Sequence, residues 1–176
     1  MSILRNLLLS AFVVLAGLSN AALAETKPKQ IGSFNDWSAF VLGEGKSKTC
    51  YIVGRPKSSV PKGAKRGDVY ILVSHRPAEK VRNEVSINPG YVYKKDGKVD
   101  VAIGDAKYEF VVFDKPGYLD SAWAPNPTTD TAVTEAMSKG SQLVVKGVSS
   151  HGTQTTDTYS LSGVTAALKA IGDACK

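Results

Sequence analysis

The chain is poor in residues that carry reaction chemistry. Its 176 residues include two cysteines and two histidines, with no Cys-x-x-Cys pair and no Gly-x-Ser-x-Gly turn. A zinc centre would have to be assembled from scattered positions rather than from the close thiolate spacing that marks such sites. A nucleophile elbow is excluded outright. After Leu18 no second hydrophobic run appears, so nothing later in the chain reads as a membrane span. No regular repeat occurs, and no aromatic-plus-basic motif points to nucleic acid.

What is present first is a leader. Arg5 is the only charged side chain before an apolar run from Leu7 to Leu18, and Ala22-Leu23-Ala24 supplies the small-x-small pattern of a signal-peptidase cut. Residues 1–24 therefore read as a signal peptide and 25–176 as one mature β-rich domain. Glu25, not a cysteine, follows the cut, which argues against a lipid-modified amino terminus. The expectation is a periplasmic protein, surface-associated or secreted. About 150 residues suffice for one compact domain. Without Arg5 the chain has 21 basic and 16 acidic residues, a net charge of +5. The excess gathers in Lys57, Lys62, Lys65 and Arg66, in Arg76, Lys80 and Arg82, and in Lys94, Lys95 and Lys98. Such clusters are ordinary solvated surface, or on an exported protein a surface for anionic lipid or polyanionic glycan. Export makes nucleic acid an unsuitable partner.

Cys50 and Cys175 are the whole cysteine complement, and an oxidising compartment makes their pairing the default. Pairing them closes a loop across 125 positions, which in the chain-entropy model removes about 5 kcal/mol of unfolded-state entropy. A reactive thiol and a metal ligand are the alternatives, but Cys175 has no candidate base nearby. No cofactor or metal is expected.

From Gly32 to Phe113 the pattern is strand after strand. Asn35–Leu42 and Thr49–Arg55 flank a polar Gly43-Glu44-Gly45-Lys46 turn and read as a hairpin. The Pro, Gly, Ser and Lys segment from Pro56 to Gly67 reads as a long exposed loop. Val69, Ile71 and Val73 alternate along one strand, and Val81, Val85 and Ile87 along the next, which Asn88-Pro89-Gly90 closes. Asp96-Gly97 and Gly104-Asp105 suit two-residue turns, predicting a meander of Tyr91–Lys95, Lys98–Ile103 and Ala106–Phe113. Leu143–Val148 and Thr153–Leu161 flank Ser150-His151-Gly152 as a further hairpin. Pro125-Asn126-Pro127-Thr128 opens one helix with a Val133, Ala136 and Met137 stripe that Gly140 stops. A second begins near Ser162 and carries Val164, Ala167, Leu168, Ile171 and Cys175 on one face. The fold class is mainly β: an antiparallel β-sandwich or flattened barrel with two short α-helices, the carboxy-terminal one packed on the sheet.

Several residues invite sharper readings. His75 sits at a strand end beside Arg76 and Pro77, where a hydrogen-bonded edge histidine is the plain interpretation and a general base the alternative. His151 reads as a turn residue. Arg66-Gly67-Asp68 spells an adhesion tripeptide, yet turn chemistry explains it. Trp37 and Trp123, with Tyr51, Tyr70, Tyr108, Phe110 and Tyr159, read as core or rim packing, and a sugar platform would need several of these rings to face solvent together. The Thr153–Thr158 run, including Thr155 and Thr156, reads as a half-exposed edge strand or as a hydrogen-bonding surface.

These residues resemble the invasion-associated locus B (IalB) family of exported proteins from Gram-negative bacteria. The carriers are Asn35-Asp36-Trp37-Ser38, Cys50-Tyr51, Arg66-Gly67-Asp68-Val69-Tyr70, His75-Arg76-Pro77-Ala78-Glu79-Lys80, Val144-Val145-Lys146-Gly147 and Thr155–Leu161, followed by the closing helix with Ala166–Ile171 and Cys175. The resemblance implies a β-rich periplasmic or surface-associated protein linked to host-cell invasion or colonisation, with no catalytic residue to transfer. The reading is a non-enzymatic interaction protein of the envelope, its partner an envelope or host-surface protein or glycan. Its candidate surface is Lys57, Lys62, Lys65, Arg66, Thr153, Thr155 and Thr156. The alternatives are an envelope hydrolase or transferase using His75, and a structural periplasmic protein without a discrete ligand.

Overall fold

A computed structural model of the chain describes residues 27–176. The expected leader, residues 1–24, and its cut lie outside them. In chain order the elements are β1 (Lys29–Phe34), β2 (Trp37–Leu42), β3 (Thr49–Gly54), β4 (Ser58–Val60), β5 (Tyr70–Arg76), β6 (Val81–Asn88), β7 (Lys98–Ile103), β8 (Ala106–Val111), β9 (Ala122–Trp123), α1 (Pro127–Lys139), β10 (Gln142–Val148), β11 (Gln154–Ser160) and α2 (Val164–Ala174). Among the described residues, the eleven strands form one antiparallel sheet in the order β1-β2-β3-β5-β6-β9-β8-β7-β10-β11-β4.

That order forces the sheet to curl. Laid flat at ordinary strand spacing, β3 and β4 would lie about 38 Å apart. Only Arg55, Pro56 and Lys57 join them, a link spanning about 14 Å when extended. The two ends of the sheet therefore meet. Trp37 Nε1 donates to the Ser160 carbonyl at 3.0 Å, the Asp36 amide donates to Ser162 O at 3.3 Å, and Lys57 pairs with Asp36. No ladder joins the ends, so the sheet remains open, with β1 and β4 as its edges. The expected flattened barrel is thus one coiled sheet folded over a shared core.

Alternation decides which side chains enter that core. Trp37, Gly54, Ile71, Ile87 and Ala122 lie opposite one another across five strands, and Ala39, Ile52, Val73 and Val85 form the parallel row. The other half contributes Val99, Val101, Phe110, Leu143, Val145 and Tyr159 to the same core. Gly54 is required by the Trp37 ring, since a Cβ there would sit 2.7 Å from it. Helix α2 covers β1, β2, β3 and β5, and α1 covers β6 and β8. Asn126 caps α1 by accepting from the Thr129 amide at 2.9 Å, and Pro127 fills the first helical position. Gly163 opens α2 at φ 91°, where a Cβ would collide with the Phe34 carbonyl. Cys175, just past α2, is bonded to Cys50 of β3. The last helix is therefore held to the sheet by a covalent bond as well as by its apolar face.

Three local expectations change. The 56–67 segment is not all loop, because Ser58–Val60 forms β4 and pairs with Thr156–Thr158 of β11. A three-residue Ser58-Ser59-Val60 strand set between Pro56 and Pro61 is too short to show an alternating pattern. Tyr91–Lys95 does not pair with β7: Asp96-Gly97 makes a tight turn in which Gly97 N–H donates to Lys94 O, and Tyr93 bridges to Ser149 instead. The hairpin at Gly104-Asp105 forms as expected. The sheet also starts earlier than the pattern suggested, with β1 at Lys29.

Candidate functional site

The residues singled out from the sequence fall into three environments. The basic segment and the threonine run are brought together, since β4 and β11 are hydrogen-bonded neighbours. Lys57, Lys62, Lys65 and Thr153 are exposed there and Thr156 is half-buried. Arg66 and Thr155 are not surface groups. The Arg66 side chain is 7% exposed and grips Asp157 with two hydrogen bonds, Nη1 to Oδ1 at 2.8 Å and Nη2 to Oδ2 at 2.6 Å, while Nε donates to Pro89 O. Its guanidinium also lies 5.2 Å from the Tyr91 ring centre. Burial opposes the Arg66 charge, but the Asp157 bonds outweigh it and hold the guanidinium firmly protonated. Thr155 is 5% exposed and shares a hydrogen bond with the Tyr91 hydroxyl at 2.6 Å. The Arg66-Gly67-Asp68 tripeptide therefore has its arginine committed internally.

His75 lies on β5 opposite Cys50 and is 3% exposed. Its Nε2 meets Asn83 Oδ1 at 2.9 Å, and burial lowers its proton affinity. The ring's partner is an amide, and among the described residues no carboxylate is hydrogen-bonded to it. His151 is exposed in the β10–β11 turn. Among the described residues no group of three or more His, Cys, Asp or Glu side chains is placed to hold a metal ion.

The third environment is the outer face of the sheet's first half. Across it, Phe40, Tyr51, Ser74 and Glu84 lie opposite one another, and so do Ser38, Val53, Leu72, Ser86 and Trp123. Of these rows Tyr51, Val53, Leu72, Ser74, Glu84, Ser86 and Trp123, together with Leu42, Thr49, Arg55, Tyr70 and Arg76, line a groove of about 480 Å³. Its floor is largely apolar, with Leu42, Tyr51, Val53, Tyr70, Leu72 and Trp123; beside it Phe40 stacks on Tyr51 at 5.3 Å, and the exposed Tyr118 ring lies 6.4 Å from Trp123. Its charges are confined to the ends. Arg76 donates to both carboxylate oxygens of Glu84, at 2.6 and 2.9 Å, and through Nε to Glu79 at 2.8 Å. Those bonds, Glu84 foremost, raise the Arg76 proton affinity and lock the fork in place. Arg55 pairs with Asp68 at 3.1 Å in the open.

The aromatic residues named from the sequence thus divide. Trp37, Phe110 and Tyr159 are core, and Tyr108 donates to Ala132 O beneath α1. Tyr51, Tyr70 and Trp123 share the groove. Leu72, Ser74, Arg76, Glu84 and Ser86 escaped notice as site residues. The signal for them was the unbroken run Val69-Tyr70-Ile71-Leu72-Val73, which is apolar on both faces of its strand.

Comparison with family models gives a match over residues 37–172 to the family described as Invasion associated locus B (IalB) protein. The chain belongs to the IalB family. The IalB match takes in β2 through most of α2, hence the whole groove and Cys50, and ends before Cys175. No curated protein and no solved structure matches the chain. Family membership fits an invasion-associated envelope protein, and the Cys50–Cys175 bond suits a compartment outside the cytoplasm.

Proposed function

We propose that this IalB-family chain is an exported, non-enzymatic interaction protein of the cell envelope, associated with host-cell invasion or colonisation, and that it recognises its partner through the outer-face groove. One observation carries the reading. Tyr51, Tyr70 and Trp123 converge with two arginines on a concave surface built from rigid strands. Tyr, Trp and Arg are the side chains that dominate recognition hot spots. Half-exposed apolar side chains across several adjacent strands serve no packing purpose on the sheet's outer face, where alternation normally places polar groups.

The test is capture of fractionated outer-membrane components and host-cell surface extracts on the immobilised mature protein. Saturable capture that falls when Tyr51 and Leu72 are both changed to Ser, with the unfolding midpoint retained, supports the groove. Capture indifferent to that change but lost when Lys57, Lys62 and Lys65 become Gln would move the surface to the β4–β11 end. A deletion strain that leaks envelope contents yet attaches to host cells normally would favour structural support over recognition.

A further inference from the structure

Resting on the groove as the recognition surface, we infer that its ligand is a neutral glycan, a short oligosaccharide stretch laid across Tyr51, Tyr70 and Trp123. Four observations point there.

The first is charge. Arg76 is saturated by Glu84 and Glu79, and Arg55 is paired with Asp68, so the groove offers no uncompensated charge to an ionic ligand. The basic side chains that would draw a polyanion, Lys62 and Lys65, are not among the groove's lining residues.

The second is backbone supply. Most N–H and C=O groups of β2, β3, β5 and β6 along the groove are spent on one another in ladders interrupted by one irregularity between Ser74 and Arg76, and the Val85 N–H is taken by Asp130. A peptide lying on this face gains no main-chain partners, and its own amides would sit over Val53, Leu72 and aromatic rings. Unpaired peptide groups in such a place are unfavourable, and strand addition works at sheet edges, not on faces. A pyranose is built the other way: its C–H face is apolar, and its hydroxyls radiate in the ring plane toward the groove's rim.

The third is the polar inventory at that rim. The Ser74 hydroxyl, the fixed Arg76–Glu84 fork and Thr49 alternate donors and acceptors at one end. The Trp123 indole N–H is buried beneath that rim, without a partner among the described residues, so Trp123 offers its ring and not its N–H. A planar, immobilised guanidinium–carboxylate pair presents directional hydrogen bonds with little entropy left to lose on binding. The fourth is size, since about 480 Å³ lies in the range of small-ligand sites.

The two tryptophans make the test direct. Trp37 is 1% exposed in the core, whereas Trp123 lines the groove. Titration of the oxidised mature protein with short neutral hexose and N-acetylhexosamine oligosaccharides should give a saturable change in intrinsic fluorescence from Trp123. Tyr70→Ala should weaken binding about tenfold, the loss of one stacked ring, and Lys62→Gln with Lys65→Gln should leave it unchanged. Because Tyr70→Ala removes a half-buried side chain, Ser74→Ala serves as a milder second variant, with a smaller loss expected and folding intact. Binding confined to sulfated or sialylated glycans and abolished by the lysine changes would overturn the inference. So would silence toward every neutral glycan while groove variants still abolish capture of an envelope or host protein; that result would leave the proposed function standing. Loss of capture sensitivity to groove variants would instead remove the function reading itself.

Discussion

Asp130 offers the most quantitative check on how the helices are seated. It lies in the first turn of α1, 6% exposed, and its Oδ1 accepts the Val85 amide at 2.8 Å. The bond has a topological cause. Strand β9 pairs with β6 only at Ser86 and Ile87, and the Ala124 amide reaches back to Val85 O, so the Val85 N–H is left without a strand partner. The helix supplies one. Burial, assisted by the nearby Glu84 charge and opposed by the Val85 bond, pushes the Asp130 carboxyl up to about 6 from 3.8.

The sign follows from proton linkage. Between pH 3.8 and about 6 the unfolded chain has released this proton while the folded chain retains it. Stability contributed by the protonated group is complete below the lower value and is lost as pH rises through the upper one, at about 1.4 kcal/mol per pH unit. By pH 7 the accumulated loss is about 3 kcal/mol. Asp130→Asn keeps an oxygen for Val85 and cannot ionise. The difference in unfolding free energy between variant and parent should therefore shift in the variant's favour by about 3 kcal/mol from pH 4 to pH 7. Urea unfolding followed by tryptophan emission measures it, and any constant effect of the amide cancels across pH. His75 acts in the opposite sense, since burial lowers its proton affinity and stability falls as pH drops through its unfolded value of 6.5. That contribution is common to both proteins and cancels too. Parallel pH profiles for parent and Asp130→Asn would refute the reasoning.

Three further outcomes are expected. Replacing Asp157 by Ala should destabilise the protein by about 3–5 kcal/mol, because Arg66 is left charged and buried, whereas Arg66→Met with Asp157→Leu should destabilise far less than the two single changes together; denaturant midpoints of the cycle decide it. Reduction, or Cys50→Ala with Cys175→Ala, should lower stability by about 2–5 kcal/mol, and equal midpoints with and without reductant would show that the bond contributes nothing. Gly54→Ala should lose about 1–3 kcal/mol, since the new methyl meets the Trp37 ring at 2.7 Å, and calorimetry would register it as a lower Tm.

Much of this fold was legible because its signals are local. The α1 boundaries follow from Asn126, Pro127 and Gly140, whose capping roles are visible in a short window. The β10–β11 and β7–β8 hairpins follow from glycine turns between alternating segments. The covalent tie followed from counting two cysteines in a chain whose leader pattern reads as an export signal. What escaped was pairing between distant segments. Nothing near Ser58 indicates that it joins Thr158, and nothing near Tyr91 indicates that its partners lie at Thr155 and Arg66. Arg66 shows the consequence: in a window of Pro, Gly and Lys it counts as one more surface cation, and only the return of β11 beside β4 delivers the carboxylate that buries it.

The groove was half legible for a related reason. A strand with a clean inside and outside announces itself by alternation, and β7 does so, with Val99, Val101 and Ile103 buried and Asp100 exposed between them. Strand β5 does not, because Tyr70 and Leu72 are apolar on the face opposite Ile71 and Val73. Read for packing alone, that run is an unusually apolar strand. Across the ladder, however, Leu72 stands beside Val53 on one neighbour and Ser86 on the other, and Trp123 follows Ser86. The same departure from alternation on adjacent strands is what gives this outer sheet face an apolar groove. The groove is therefore written in register, a property of strand pairs, and the two-faced apolar runs of β5 and of Cys50–Val53 on β3 are its marks in the linear chain.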